Sequence, residues 1–330
     1  WIEAPEVEDQ DVPIEAGSRR NDRSARCSPD RLYIHTQVGR HQIDGVEPTD
    51  IELLEGGHAR PGSPERHPRQ NRPAYREVRE LVEREGVDVV HVHNTLPLAS
   101  PAVYYAAKAG GAAVVQTLHN YRTICPGALL MRDEKVCELC VKGSPYQAVK
   151  YGCYRESKLA TLAVARMVSV HRKRATWSRK IQRVIALTEF ARAKFSEGGF
   201  DPGRIAVKPN FIADPLVGEG IGSHDQGALF VGRISVEKGV EVMLEAWRDL
   251  ALPLAIAGDG PRYEALSSSA LPDSVQFLGR QTKSEVFAAM KASRFMVMPS
   301  LCYEGFPMVI VEAFAHGLPV SVASPGTGEG

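Results

Sequence analysis

The sequence predicts an α/β protein of two lobes, each a doubly wound parallel sheet with helices on both faces. Helical and strand patterns alternate from Pro73 onward, the alternation lapses over residues 210–227, and it then restarts. At 330 residues the chain can bury two separate cores. Lys and Arg together number 40, as do Asp and Glu, so no global charge selects nucleic acid as a partner. No apolar run reaches the roughly 18 to 20 residues that cross a bilayer, and no secretion signal opens the chain, so a cytoplasmic location is expected. Six cysteines are too few for a disulfide scaffold at this length. The chain begins at Trp1 and stops at "SPGTGEG" straight after a strand, and it reads as a fragment at both ends.

Residues 1–72 are rich in Arg, Pro, Gly and acid and lack apolar periodicity, a composition that disfavours a compact core. They form an atypical leader, with "RLYIHTQV" and "DIELLE" as short strands at most. The first lobe occupies 73–209. There "AYREVRELVEREG" sets Tyr75, Val78, Leu81 and Val82 at helical spacing and ends on Gly86, and "VDVVHVH" follows as a buried strand. A helix in "LASPAVYYAAKAGG" leads into the strand "AAVVQTLH". A cysteine-rich insertion at 125–153 follows, then one long basic helix from about Arg155 to Trp177, the strand "RVIALT", the helix "EFARAKFSEG" and the strand "RIAVKP".

Residues 210–227 read as a linker and 228–330 as the second lobe, cut short. Its strands are "ALFVGRI", "LPLAIAG", "SVQFLG", "RFMVMPS" and "LPVSVAS". Val240, Met243, Leu244 and Trp247 stripe its first helix, further helices lie near 262–269, 284–292 and 307–316, and Thr282 with Glu285 forms a capping box.

Parallel sheets of this kind bind ligands beyond the carboxyl ends of their strands. Arg233 and Lys238 stand at one such end, two cations suited to a pyrophosphate or simply two surface charges. Gly258 and Gly260 of "IAGDGP" stand at another, where a missing side chain lets a ligand approach the backbone. The stretch "YEGFPMVIVEAFAHGLPV" places Glu304 in a third loop, and Pro307 suits the first position of the helix that Gly317 ends. That helix is apolar on every side, which predicts burial all round. Glu312 inside it then needs donors, either the vicinal hydroxyls of a ribose or an Arg. The N–H groups from Gly305 onward suit a phosphate.

"GRISVEKG", "GDGP" and E-G-F-P with a second Glu eight positions after the first, in this order, resemble the retaining glycosyltransferases of family 4, which have the two-lobed, Rossmann-like GT-B fold. The likeness runs from about residue 73 to residue 324 and is tightest over 228–320. It implies transfer of a sugar from a nucleoside-diphosphate sugar to a glycan or lipid-linked acceptor with retention, as in cell-envelope polysaccharide synthesis. It further implies that Arg233 and Lys238 bind the pyrophosphate and stabilise the leaving group, that Glu304 contacts the transferred sugar and Glu312 the ribose, and that Phe306 and Pro307 present backbone to both. No metal or other cofactor is implied for catalysis, and the only D-x-D, Asp9 to Asp11, lies outside the matched region. His119, after a first-lobe strand, is the expected partner of donor sugar and acceptor, whereas His93 reads as structural. Asn210 matches the Asn of the family's N-G motif, with Phe211 in place of the Gly.

Two departures accompany this likeness. The strand, Gly-rich loop and helix that open the family's first lobe have no counterpart in 1–72, and the family's closing helices lie beyond the end of this chain. The competing readings are a truncated GT-B chain that only binds a nucleotide or zinc, and, less favoured, a nucleotide-sugar epimerase. Cys125, Cys137, Cys140 and Cys153, spaced C-x11-C-x2-C-x12-C, suit a structural zinc or a set of reduced buried cysteines. A similar insertion occurs in some family 4 sequences. The run 155–183 carries nine Lys and Arg against Glu156, and it reads either as a solvated face or as a contact with an anionic membrane at the inner leaflet.

Overall fold

The computed structural model describes residues 71–95, 100–212 and 222–323. The strands expected in "RLYIHTQV" and "DIELLE" and most of the expected linker lie outside these residues.

In the first lobe, α1 (Arg72–Glu85) starts where the Asn71 side chain accepts from the Ala74 N–H at 3.3 Å and ends where Gly86, at φ 62°, turns left-handed. Its Val78, Leu81 and Val82 are buried, as the spacing predicts, and Tyr75 packs at the edge of the same core. Strands β1 (Val89–Val92), β2 (Ala113–Leu118), β5 (Arg183–Ala186) and β6 (Ile205–Val207) form a fully parallel sheet in that spatial order. Helices α2 (Ala102–Ala109) and α7 (Glu189–Glu197) connect them, and Thr188 caps the latter by accepting from the Ala191 N–H at 3.0 Å. Val90, Val92, Val103 and Val114 are fully enclosed, each worth roughly 1.5–3 kcal/mol of burial.

Between β2 and β5 lies the insertion. It opens with a hairpin of β3 (Met131–Arg132) and β4 (Lys135–Val136), whose turn residues Asp133 and Glu134 both have positive φ, as a tight primed turn demands. Helices α3 (Leu139–Lys142), α4 (Gln147–Tyr151), α5 (Lys158–Lys173) and α6 (Thr176–Lys180) follow. The single helix expected from Arg155 to Trp177 is therefore two: Ser157 starts α5, and Ala175, at φ 51°, breaks it. Core packing explains the break. Buried His171 Nδ1 lies 2.8 Å from Thr176 Oγ1, and the turn swings Trp177 into the core, edge-on to Tyr104 at 5.9 Å.

The second lobe restarts with β7 (Gln226–Val231), α8 (Val240–Trp247), β8 (Leu254–Ala257), α9 (Tyr263–Ser267), β9 (Val275–Gly279), α10 (Lys283–Ala292), β10 (Ser293–Met298), α11 (Met308–Ala315) and β11 (Val320–Val322). The strands pair in parallel in the order β11-β10-β7-β8-β9. The predicted stripe of α8 is buried, and the capping box at Thr282 and Glu285 forms, holding the Glu285 carboxyl below its usual range through hydrogen bonds from Thr282.

Helix α11 departs from expectation. Only Ala313 is buried; Val309 and Ile310 line the sheet, while Met308 and Phe314 are 37% and 61% exposed. An apolar composition gives no stripe to read, and only one side of this helix meets the sheet. Pro307 is its cap residue, at ψ 139°, rather than its first helical residue. Among the described residues no helix is long and apolar enough to cross a membrane.

Candidate donor site between the lobes

The β10–α11 loop and the end of β7 build the second-lobe wall. After β7 the chain passes Arg233 and turns through a 3-10 helix, Val236–Lys238, to Gly239 at φ 66°. A side chain at Gly239 would come within 2.0 Å of the Pro299 carbonyl, so this turn lies directly against the end of β10. That contact positions Lys238, whose Nζ donates to Glu304 Oε1 at 2.7 Å. Buried Ser300 donates to the same oxygen at 2.5 Å. Both charged side chains are largely covered, 26% and 20% exposed, so their attraction is less screened than at an open surface. Arg233 is exposed, and among the described residues no hydrogen bond or ion pair engages its guanidinium.

Gly258 and Gly260 have a different explanation from the one expected. A Cβ at Gly258 would lie 1.8 Å from the Gly232 carbonyl, and one at Gly260 would lie 2.3 Å from the Ile234 carbonyl. Backbone-to-backbone packing of the β7 and β8 loops therefore accounts for both glycines without any ligand.

The first lobe meets this wall at successive points. The His119 carbonyl, just past β2, would be 3.1 Å from a Cβ at Gly305. Asn210 Nδ2 donates to the Phe306 carbonyl at 2.7 Å. Phe306 has φ 74°, a left-handed conformation that costs a bulky residue about 1–3 kcal/mol and persists only where neighbours hold it. Asn210 is one such holder, a role that its place in a motif suggested but did not define. The Phe306 carbonyl is thus engaged within the protein, and Pro307, which has no N–H, cannot donate to a phosphate.

His93, read from sequence as structural, is joined to His119: His93 Nδ1 lies 2.7 Å from His119 Nε2 and the rings stack at 5.0 Å. One proton serves that contact, so the two rings cannot both be imidazolium. His119 is exposed by area yet crowded by protein, and this desolvation lowers its pKa. Behind the pair a cavity of about 30 Å³, lined by His93, Asn94, Tyr104, His119 and Trp177 among others, is too small for a sugar.

Glu312 is half-buried rather than enclosed, and among the described residues no side chain pairs with its carboxylate. The Arg partner weighed above is absent there, and partial exposure removes the compulsion to find one.

The four insertion cysteines are brought together. Burial, then the neighbouring Cys125, Cys137 and Cys153, push the Cys140 thiol up to about 12, and Cys125 and Cys153 are likewise raised, chiefly by burial. The donor chemistry suits zinc, but among the described residues no three ligating side chains are arranged to hold a metal ion. Proximity is satisfied and coordination geometry is not. Arg172 of α5 instead caps the cysteine loop, donating to the carbonyls of Gly143 at 2.9 Å and Cys140 at 3.2 Å.

Two parallel-sheet lobes that meet at the carboxyl ends of their strands are the architecture of the GT-B fold. The chain belongs to glycosyltransferase family 4: a model of that family matches residues 37–214, more than half of the chain, and one described as glycosyl transferases group 1 matches 225–329. The match reaches back to residue 37, well before the start of the likeness read from motifs. An uncharacterized glycosyltransferase of Methanocaldococcus jannaschii, MJ1178, is 24% identical over 256 residues, which is 77% of this chain and 60% of that protein. The alpha-monoglucosyldiacylglycerol synthase of Streptococcus pneumoniae is 29% identical over 43% of this chain and 32% of its own length. Among solved structures, Anabaena HepE in complex with UDP-glucose superposes with TM-score 0.54 at 17% identity, over 79% of this chain and 66% of that one. A Rickettsia africae glycosyltransferase gives 0.52 at 17%, over 84% and 69%. These likenesses show the fold, and this chain spans less than two thirds of MJ1178.

Proposed function

We propose that the chain is the greater part of a retaining glycosyltransferase that takes a nucleoside-diphosphate sugar as donor and a glycan or lipid-linked molecule as acceptor, in cell-envelope polysaccharide or glycolipid synthesis. The observation that supports this best is the Lys238–Glu304 contact beside Gly305 and the His119 carbonyl, in which a cation suited to a diphosphate lies next to a carboxylate suited to sugar hydroxyls. In the reaction the anomeric C–O bond to the diphosphate breaks and its electron pair leaves on the phosphate oxygen, while an acceptor hydroxyl oxygen bonds to the anomeric carbon and its proton passes to that departing phosphate oxygen. Arg233 and Lys238 offset the charge that grows on the leaving diphosphate. Glu304 orients the sugar, and Glu312 takes the ribose hydroxyls. With Nε2 of His119 occupied by His93, Nδ1 is the atom left to form a hydrogen bond with the sugar or acceptor. The neighbour solved with UDP-glucose supports a nucleotide-sugar donor, and no catalytic cofactor enters this scheme. A thermal-shift panel of UDP-, GDP-, ADP- and dTDP-sugars tests it: one should raise Tm, and no response from any would favour a chain that no longer binds a donor.

A lipid-linked acceptor at the inner face of the membrane is favoured by α5, which exposes Leu159 (81%) and Leu162 (43%) in one stripe with Arg166 and Lys173. The relative named as a glycolipid synthase supports the same choice. A structural zinc on Cys125, Cys137, Cys140 and Cys153 completes the proposal; it would require the loop to tighten from the arrangement described above.

A further inference from the structure

Toward and beyond their carboxyl ends, β1 and β2 are tied by side chains at one constant spacing. His91 Nε2 lies 2.8 Å from Thr117 Oγ1, His93 Nδ1 lies 2.7 Å from His119 Nε2, and Asn120 Nδ2 donates to Asn94 Oδ1 at 3.3 Å, each pair 26 residues apart in the chain. A further tie comes from the core. Gln116, 4% exposed within β2, donates from Nε2 to the carbonyls of His93 at 2.8 Å and Thr117 at 2.7 Å, and its Oε1 accepts from the buried Tyr104 hydroxyl of α2 at 2.6 Å. A buried amide is costly unless its polar atoms are paired, and here both the nitrogen and the oxygen are used. The His93 backbone is thereby held from behind. The ties at His91, Asn94 and the His93 carbonyl already join the two strand ends, so the ring-to-ring bond is not needed for that pairing. What it restrains is the outer ring: His93 is half-buried, His119 is exposed, and the rings stack at 5.0 Å with 20° between their planes. Desolvation favours neutral His119, the state in which one nitrogen donates and the other accepts.

We infer that His93 is a positioning residue: by engaging Nε2 of His119 it holds that ring in one tautomer and one orientation, with Gln116 and Tyr104 supporting His93 from the core. It does not touch the reacting atoms. The state of His119 Nδ1 is then the complement of what His93 presents. Where His93 Nδ1 donates, His119 Nδ1 keeps its own proton and donates to the sugar; where His93 Nδ1 accepts, His119 Nδ1 is bare and accepts. Either way a single hydrogen-bonding character faces the ligand, which an unrestrained exposed imidazole would not offer. This inference rests on His119 meeting the sugar, as proposed above.

The test has two readouts on the whole chain. The first needs no ligand: long-range proton–nitrogen correlation spectra of the imidazoles at about pH 7.5, where a histidine with a lowered pKa is neutral, with His119→Gln to assign the signals. In the wild type one His119 nitrogen should be protonated and the other bare; averaged signals would overturn the inference with no variant needed. His93→Phe keeps a ring for the stack and loses the bond, so both His119 nitrogens should move to intermediate values. His93→Asn puts an amide near the place of Nδ1 that can donate or accept, and it should restore the single tautomer. A single tautomer retained in folded His93→Phe would show that the ring bond fixes nothing. The second readout compares affinities for a nucleoside diphosphate and for its sugar conjugate. The conjugate should bind about fivefold more weakly to His93→Phe and as in the wild type to His93→Asn, with the bare diphosphate unaffected in both. Equal losses for both ligands, or no loss for the conjugate, would reject the positioning role. Averaged signals in His93→Phe together with a wild-type chain that binds no nucleotide sugar would uphold the hold on His119, reject its link to a donor, and place the fault in the proposed function.

Discussion

The Lys238 ammonium lies 2.7 Å from the Glu304 carboxylate, so the cation assigned to the diphosphate and the acid assigned to the sugar form one unit before any donor is considered. Each restrains the other. Under the proposed assignment a donor would share Lys238 with Glu304, which would couple recognition of the sugar end to recognition of the phosphate end.

Arg233 and Lys238 should therefore separate on mutation. Arg233→Ala and Lys238→Ala are both expected to weaken nucleoside-diphosphate binding at least about tenfold, or about 1.4 kcal/mol by titration calorimetry. Only Lys238→Ala should also cost stability, about 1 kcal/mol, because it strips the partly buried Glu304 of its ion pair. Undiminished affinity in either variant would remove that residue from the phosphate site.

Asn210→Ala should destabilise the chain by about 1 kcal/mol in a denaturant titration, since the Phe306 carbonyl loses its donor. Phe306→Gly adopts the left-handed conformation without steric cost, so adding it to Asn210→Ala should recover part of the loss. A double variant weaker than the sum of the singles would show that Phe306 contributes packing rather than strain.

The histidine pair predicts a pH dependence. The His119 pKa is lowered in the folded chain by desolvation, so below about pH 6.5 the unfolded chain binds a proton that the folded chain refuses. Stability from this group is present above that pH and is lost as pH falls toward the lower folded value. Tm should thus decline from pH 7 to pH 5 more steeply in the wild type than in His119→Gln. Parallel Tm profiles would show that His119 does not sense its surroundings.

Metal analysis addresses the cysteines. If they hold zinc, the purified chain should carry about one equivalent and a chelator should lower Tm. A metal-free chain with a full cooperative transition would leave four reduced thiols as the answer.

Vesicles test the α5 face. Anionic vesicles should pellet the chain and neutral ones should not, and Leu159→Glu with Leu162→Glu should abolish pelleting without a loss of Tm, because both side chains are exposed. Equal pelleting of the double variant would return the basic run to a solvated face.

Period and punctuation in the sequence were sufficient for much of the fold. Alternating helices and strands implied two parallel sheets, α1 and α8 showed their buried stripes, and the Thr282 capping box was legible because capping is local chemistry. Three motifs in order carried the family and named the site residues. The sequence could not reveal which atoms meet. His93 and His119, and Asn210 and Phe306, are joined by distances that depend on two strands and two lobes being packed at once. The break at Ala175 follows from Trp177 entering a core that local propensity does not see, and the open side of α11 was hidden because an all-apolar helix has no stripe. Gly258 and Gly260 make the same point from the other direction: spacing put them at a ligand's edge, and only packing gave the nearer reason, two carbonyls that leave no room for a side chain.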